Sequence, residues 1–398
     1  MAAAISAAKT AFSNPAPSPI GMDPLVSVAK EMKSLTKNIQ QLLGSGHPLL
    51  DTVSKYYTQA EGKYVRPTLV LLMSRATALC PKSARGSGSQ RLESVDKSIS
   101  PLEVLVDANP CAPEFTPLTG PLAEQTYDTS DPDILPSQRR LAEITELIHT
   151  ASLLHDDVID HSEERRSQPS ANIAYGNKLA VLAGDFLLGR ASVAMARLRD
   201  PEVTELLATV IANLVEGEFM QLKNTATDSP NPVWDPSTLE YYLQKTYLKS
   251  ASLISKSCRA AALLGRCTPE VVEAAYQYGK NLGLAFQLVD DMLDYTISAA
   301  ELGKPAGADL ELGLATAPLI FAWEREAELG ALVGRKFSEK GDVEKVCTHS
   351  LLHFGQPWLT NSCTGTVFGI SIHRSGANSG FSRSLCPESH RRTPDIPR

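Results

Sequence analysis

The chain has 398 residues, 43% hydrophobic and 21% charged, with a formal net charge of -7. That composition carries enough apolar material for a large core in one or two domains and excludes a disordered chain, and its acidic balance excludes nucleic acid as the main partner, since phosphate-backbone binding needs a broad basic surface. Seven cysteines with no Cys-x-x-Cys pair exclude a disulfide framework or zinc site and suit a reducing compartment, and no apolar run reaches the roughly 20 residues of a membrane span, so a soluble or membrane-peripheral protein is expected.

Residues 1–22 are rich in Ala and Ser and carry Lys9 as their one charge, the composition of a presequence-like or disordered segment. From residue 23 the spacing of Val26, Val28, Met32, Leu35, Ile39 and Leu42 predicts a helix that stops at Gly44-Ser45-Gly46. A second helix is expected near Leu50, followed by Gly62-Lys63-Tyr64-Val65-Arg66-Pro67 and the apolar run Leu69 to Met73. Residues 81–136 scatter Ser, Gly, Pro and Asp with little periodicity and predict a long surface insertion. Helical patterns resume at Gln138 and run to about Arg199, then Glu202 to Lys223, Pro236 to Leu264 and Pro269 to Tyr295. Strand signals are scarce, so an all-α fold is expected, a helical bundle around a central cavity. After about Val346 the periodicity fades, and residues 347–398 read as an irregular tail.

On two of these helices the same cluster recurs: Leu153-Leu154-His155-Asp156-Asp157-Val158-Ile159-Asp160 and Gln287-Leu288-Val289-Asp290-Asp291-Met292-Leu293-Asp294. In Asp-Asp-x-x-Asp the first and last carboxylates share a helix face, with the middle one beside them. Such crowding is costly unless cations neutralise it, and paired hard oxygen ligands suit Mg²⁺ that keeps waters and bridges to phosphate oxygens. Two facing copies, Asp156, Asp157 and Asp160 against Asp290, Asp291 and Asp294, would make a diphosphate cradle. His149 lies seven residues before Asp156, about two turns along the same face.

Together with these clusters, Gly62-Lys63-x-x-Arg66-Pro67, Arg165-Arg166, Lys245-Thr246, Phe286-Gln287 and the run from Leu302 to Asp309 stand in the order and approximate spacing of the trans-isoprenyl diphosphate synthases. Over about residues 23–345 the chain resembles that family, and within it the long-chain polyprenyl synthases of fungal ubiquinone biosynthesis. The resemblance implies the isoprenoid synthase fold and a reaction in which an allylic diphosphate, farnesyl or geranylgeranyl, loses pyrophosphate and is attacked by isopentenyl diphosphate. It implies the six aspartates as ligands of Mg²⁺, with the first cluster and Asp290 the surest. It implies Lys63, Arg66, His149 and Arg166 on isopentenyl diphosphate and Arg165, Lys245 and Lys304 on the allylic one. Arginine offers paired donors to phosphate and lysine a mobile point charge. Thr246 and Gln287 would aim oxygen dipoles at the developing carbocation.

Product length follows from side-chain size. Ala151 and Ser152 stand five and four residues before Asp156, one turn deeper into the cavity, where short-chain synthases place aromatic plugs. Small residues leave the floor open to a growing apolar chain, and a product of about six to ten isoprene units is expected. The resemblance further implies a mitochondrial location and a homodimer or heteromer, with the helix over 202–222 as a candidate interface. Two alternatives belong to other classes. A terpene cyclase usually lacks the second cluster and the Lys63/Arg66 pair, and a non-catalytic partner subunit tends to lose the aspartates, whereas all six are present. The irregular tail stands where family members carry closing helices, which puts the support of the core in question.

Overall fold

The computed structural model describes residues 24–45, 47–59, 64–83, 95–100, 133–166, 168–222, 232–296, 308–311 and 313–354. The chain divides into units 1–356 and 357–398, and the described residues all belong to the first. The expected N-terminal segment, most of the expected insertion and the tail beyond 354 lie outside them.

The described residues form α1 (Pro24–Leu42), α2 (Pro48–Gln59), α3 (Val65–Ala78), α4 (Pro136–Ile159), a hairpin of β1 (Glu164–Arg165) and β2 (Gln168–Pro169), α5 (Ala171–Tyr175), α6 (Asn177–Arg197), α7 (Pro201–Leu222) and α8 (Pro236–Thr246). A π-helical turn (Tyr247–Ala251) leads into α9 (Ser252–Leu264), followed by α10 (Pro269–Thr296), α11 (Ala308–Glu311), α12 (Ala317–Arg325), α13 (Leu329–Gly334) and α14 (Asp342–Phe354). The expected all-α class holds.

Helix α4 is the axis of the main core. Leu141, Ile144, Leu147, Ile148, Ala151 and Leu154 are fully buried, because α1, α3, α6 and α9 pack around it. Proline at its first turn and the Gln138 side chain, which accepts from the Leu135 N–H at 2.9 Å, settle its start. Its buried charges need partners: Arg139 donates twice to Glu31 of α1 (2.8 and 2.9 Å), and Asn38 donates to Glu143 at 3.1 Å. A second apolar cluster joins α8, α10, α12, α13 and α14 through Tyr242, Tyr295, Leu319, Trp323, Leu332 and Val346.

Three expectations change. The helical pattern expected from Gln138 to about Arg199 is interrupted after Ile159: His161 takes a left-handed φ of 52°, the hairpin pairs Arg165 with Gln168, and Gly176 at φ 86° restarts the chain into α6. Helix α6 is long and apolar enough to cross a membrane, contrary to the reading that no such run exists. Its Ala180, Ala183, Leu187, Ala191 and Ala194 are buried, and it packs along α4, as a core helix of a bundle does. Helix α14 continues past Val346 to Phe354, with Val346 and Ser350, one turn apart, both buried.

Candidate active site

The first aspartate cluster ends α4, and its three members differ in role. Asp157 lies on the buried stripe that Leu147, Ala151 and Leu154 begin, and it is fully buried. Its carboxylate accepts from the Tyr57 hydroxyl and from Arg165, whose Nε lies at 2.9 Å. The Tyr57 oxygen accepts in turn from the Ala171 N–H at 2.8 Å, so α2, α4, the hairpin and α5 meet at one polar knot. Asp156 and Asp160 are half-buried. Burial pushes the Asp156 carboxyl up to about 6 against the pull of Lys249, with Glu218 and Asp160 adding to the rise. Burial also raises Asp160, again against Lys249.

The second cluster repeats this division on α10. Asp291 is 3% exposed; it accepts from the Tyr242 hydroxyl at 2.6 Å and from Gln287 Nε2 at 2.8 Å. Asp290 is exposed, and Asp294 accepts from the Asp309 N–H at 3.3 Å. In each motif the middle aspartate is held by a tyrosine, leaving the first and last on the open side. Gln287 has both ends of its amide engaged, since its Oε1 accepts from Ser250 at 2.7 Å. It therefore braces the π-turn against α10.

Lys245 closes α8 over the Tyr242 ring, 5.6 Å from its centre. Burial lowers its ammonium, while Asp291, Asp309 and Glu218 hold it charged. Thr246 is buried beside it. Lys249 comes one turn later, 2.6 Å from Glu218 of α7 and donating to Gln221 at 3.0 Å. Glu218 acts on Asp156, Asp160 and Lys245, and Lys245 acts on Asp291, so the two aspartate helices border one shared set of charges.

Deeper along α4 is a cationic group. Tyr64, at a left-handed φ of 43°, turns the chain into α3, and Arg66 Nη1 donates to His149 Nε2 at 2.9 Å. An arginine only donates, so His149 accepts as a neutral ring with its proton on Nδ1. Burial first, then Arg66, Arg166 and Arg165, hold its pKa well below 6.5. Arg166, at φ 54°, donates to the Tyr57 carbonyl at 2.9 Å and lies 3.8 Å from Glu146. Burial pushes the Glu146 carboxyl up to about 7, although Arg166 and Arg66 both oppose the shift. The buried Arg66 Nε meets no acceptor among the described residues. An orphaned arginine donor is costly and fits an arriving phosphate oxygen.

The sequence-predicted residues thus divide. Arg66, His149 and Arg166 come together, as do Arg165 and Asp157. Ala151 is buried in the core, and Ser152 donates to the His149 carbonyl at 2.8 Å. Lys63 and Lys304 lie outside the described residues. The sequence reading missed Tyr57, Tyr242, Glu146, Glu218, Gln221 and Lys249. A signal for Glu218 existed: Gly217-Glu218-x-x-Gln221 puts a charge and an amide one turn apart, directly after a glycine, on a helix rich in apolar residues.

Among the described residues no three acidic, histidine or cysteine side chains converge into a ready cation site. The donors present are half-buried or exposed carboxylates in adjacent turns whose mutual repulsion favours a divalent ion. That set fits an ion which brings phosphate oxygens and waters to complete its shell.

A family profile described as polyprenyl synthetase matches residues 117–350. The chain is 71% identical over 326 residues to a probable mitochondrial hexaprenyl pyrophosphate synthase of Neurospora crassa, covering 81% of this chain and 70% of the relative. It is 50% identical over 388 residues to the mitochondrial hexaprenyl pyrophosphate synthase of Saccharomyces cerevisiae, covering 84% and 82%. Among solved structures, a polyprenyl synthase from Caulobacter crescentus complexed with calcium and isoprenyl diphosphate superposes with a TM-score of 0.61 at 27% identity, covering 82% of this chain and 83% of that one.

Proposed function

This chain belongs to the polyprenyl synthetase family, and from that premise we propose that it is a Mg²⁺-dependent trans-polyprenyl diphosphate synthase. It adds isopentenyl diphosphate units to farnesyl or geranylgeranyl diphosphate and makes a long-chain product for the ubiquinone side chain in mitochondria. The carrying observation is the pairing of two aspartate helices around Lys245, Lys249 and Glu218 with a separate arginine–histidine group deeper along α4. Two diphosphates need two anion sites, one of them rich in metal ligands.

When bound, the divalent ions supply Lewis acidity to the departing pyrophosphate. Asp156 and Asp160 on one helix and Asp290 and Asp294 on the other would hold them, while Asp157 and Asp291 fix those helices through Tyr57 and Tyr242. Lys245 and Arg165 add positive charge to the allylic diphosphate, with Lys304 as a further grip. Arg66, Arg166 and neutral His149 bind the diphosphate of isopentenyl diphosphate with Lys63. Thr246, buried beside Lys245, directs its oxygen toward the developing cation. Ala151, a methyl group in the wall of the core, leaves room for the growing chain, and Ser152 adds little bulk.

The same reading assigns a dimer through α6 and α7. Leu182 is 59% exposed and Phe219 69%, and the short turn between these helices brings both to one end of the pair. Light scattering of the purified chain should give twice the monomer mass, and Phe219→Asp should return it to one.

The deciding experiment incubates purified full-length protein with Mg²⁺, farnesyl diphosphate and labelled isopentenyl diphosphate. Elongated polyprenyl diphosphate supports the proposal. A cyclic hydrocarbon or no turnover overturns it. In the same assay Ala151→Phe should shorten the product on chromatography, and unchanged length would remove Ala151 from the tunnel wall.

A further inference from the structure

Three consecutive residues near the end of α4 point in three directions, because successive side chains of an α-helix are about 100° apart. Asp157 is held on one side by Tyr57 and Arg165. His155, about 200° around the axis from Asp157, reaches the other way, onto α6. Its ring lies over Gly184, where an added Cβ would stand 2.3 Å from Nε2, 2.6 Å from Cδ2 and 3.0 Å from Cε1. The imidazole thus takes the space that a side chain at 184 would fill. Its Nε2 is 3.3 Å from the Val181 carbonyl and 3.4 Å from Asp185 Oδ1. Both are acceptors, so the ring carries a proton on Nε2 and shares it between them. Asp156 stands between the two grips, half-buried on the open side.

We infer that His155 is a positioning residue for the first aspartate motif: seated on Gly184 and tied to the Val181–Asp185 turn of α6, it fixes the roll of the last turn of α4 and with it the direction in which Asp156 offers its carboxylate. The inference rests on reading Asp156 as a metal ligand for the allylic diphosphate. The last turn of a helix lacks the backbone bonds that hold its interior. A grip on one side alone would leave that turn free to roll about its axis, and grips on opposite sides do not. Asp160 follows Asp156, since its N–H donates to the Asp156 carbonyl at 2.8 Å. His149, six residues before His155, is about 9 Å back along the helix, where Ile148 and Ala151 are fully buried. Loosening the end of α4 therefore reaches the allylic site and spares the arginine–histidine group.

The test is binding calorimetry on the full-length protein with Mg²⁺ and farnesyl thiodiphosphate, an allylic diphosphate whose sulfur bridge stops ionisation. Affinity for isopentenyl diphosphate is then measured with that analogue saturating. His155→Leu keeps bulk on Gly184 and removes the donor. It should weaken the analogue about tenfold, because a carboxylate turned away from a cation loses part of its attraction, and leave isopentenyl diphosphate within twofold of the parent. His155→Gln, whose amide nitrogen reaches the place of the ring Nε2, should restore the parent affinity. Gly184→Ala meets side-chain atoms of His155, so it should displace the ring and repeat the split seen in His155→Leu. A general loss of packing would lower both affinities together and would not be rescued by glutamine. If both fall together, or if neither moves while Asp156→Asn abolishes analogue binding, the inference fails and the metal site stands. Undiminished analogue binding by Asp156→Asn overturns both.

Discussion

Tyr57 and Tyr242 each give a hydroxyl to the middle aspartate of a motif, and this separates carboxylates that look equivalent in sequence. Removing the Tyr57 hydroxyl leaves Asp157 with Arg165 alone and strands the Ala171 N–H, both in buried surroundings. Tyr57→Phe should therefore cost about 1–3 kcal/mol in urea unfolding, with a fall in turnover as the end of α4 loosens. Equal stability would show the knot to be idle. The division was legible in part: Asp157 continues the stripe of Leu147, Ala151 and Leu154, and Asp291 that of Leu284 and Leu288, so three-and-four spacing marks both as inward-facing. The tyrosine partners were not legible, because they come from helices 100 and 49 residues away in sequence. Glu146 gives a pH prediction at the same scale. Its carboxyl, pushed up to about 7, is neutral below that pH, and above it becomes an anion that competes with a diphosphate for Arg66 and Arg166. The KM for isopentenyl diphosphate should rise about three- to tenfold between pH 6 and 8 beyond any change intrinsic to the substrate. The sign agrees with linkage: a raised folded pKa means that the neutral form is favoured and that stability is lost as pH rises through 7. Glu146→Gln should remove this extra slope, and an identical profile in the variant would exclude Glu146 as its source.

The π-turn is the element on which the second half of the site depends. It sits between Lys245 and Lys249, and α10 packs on it at Gly283, where a Cβ would stand 2.7 Å from the Ala251 Cα and 2.8 Å from its Cβ. One turn earlier, Gly279 meets the Ser255 Cα at 2.8 Å in the same way. Backbone lies against backbone here, so a methyl group cannot be absorbed by a side-chain rotation. Gly283→Ala should lower stability by about 1–3 kcal/mol and reduce turnover further than that loss implies, because the displaced turn carries the brace from Ser250 to Gln287. Thermal melting beside kcat separates the two effects, and a variant that melts and turns over like the parent would show that α10 can shift freely. Gly279-x-x-x-Gly283 is visible in sequence as a small-residue pair on one helix face. The extra residue of a π-turn is not, because Pro236 to Leu264 keeps an unbroken helical pattern that tertiary packing overrides. The hairpin escaped for a related reason: two-residue strands leave no alternation to read.

Across the whole molecule, α4 separates two charged ends. Its aspartates lie at one end, and at the other Arg140, fully buried, pairs with Asp96 in the described part of the expected insertion. Arg197 and Arg199 donate to the carbonyls of Asp96 and Lys97 at 3.3 and 3.1 Å, so three arginines from α4, α6 and the turn after it fasten one short segment. The sequence marked residues 81–136 as irregular but gave no sign that this segment is fastened, since the anchor is one acid among scattered Asp and Ser and its partners sit on helices that read as core. Arg140 is about 24 Å from Asp156 along the helix at 1.5 Å per residue, so the anchor and the chemistry are distinct in space. Asp96→Asn leaves the buried Arg140 guanidinium facing the Glu143 carboxylate at 3.4 Å. Because Asp96 is itself 15% exposed, the loss should be nearer about 2 kcal/mol than the 3–5 of a fully buried pair. Its KM for both diphosphates should match the parent at temperatures where the variant stays folded. A raised KM with unchanged melting would mean that the insertion reaches the site, and the separation of anchor from chemistry would then be wrong.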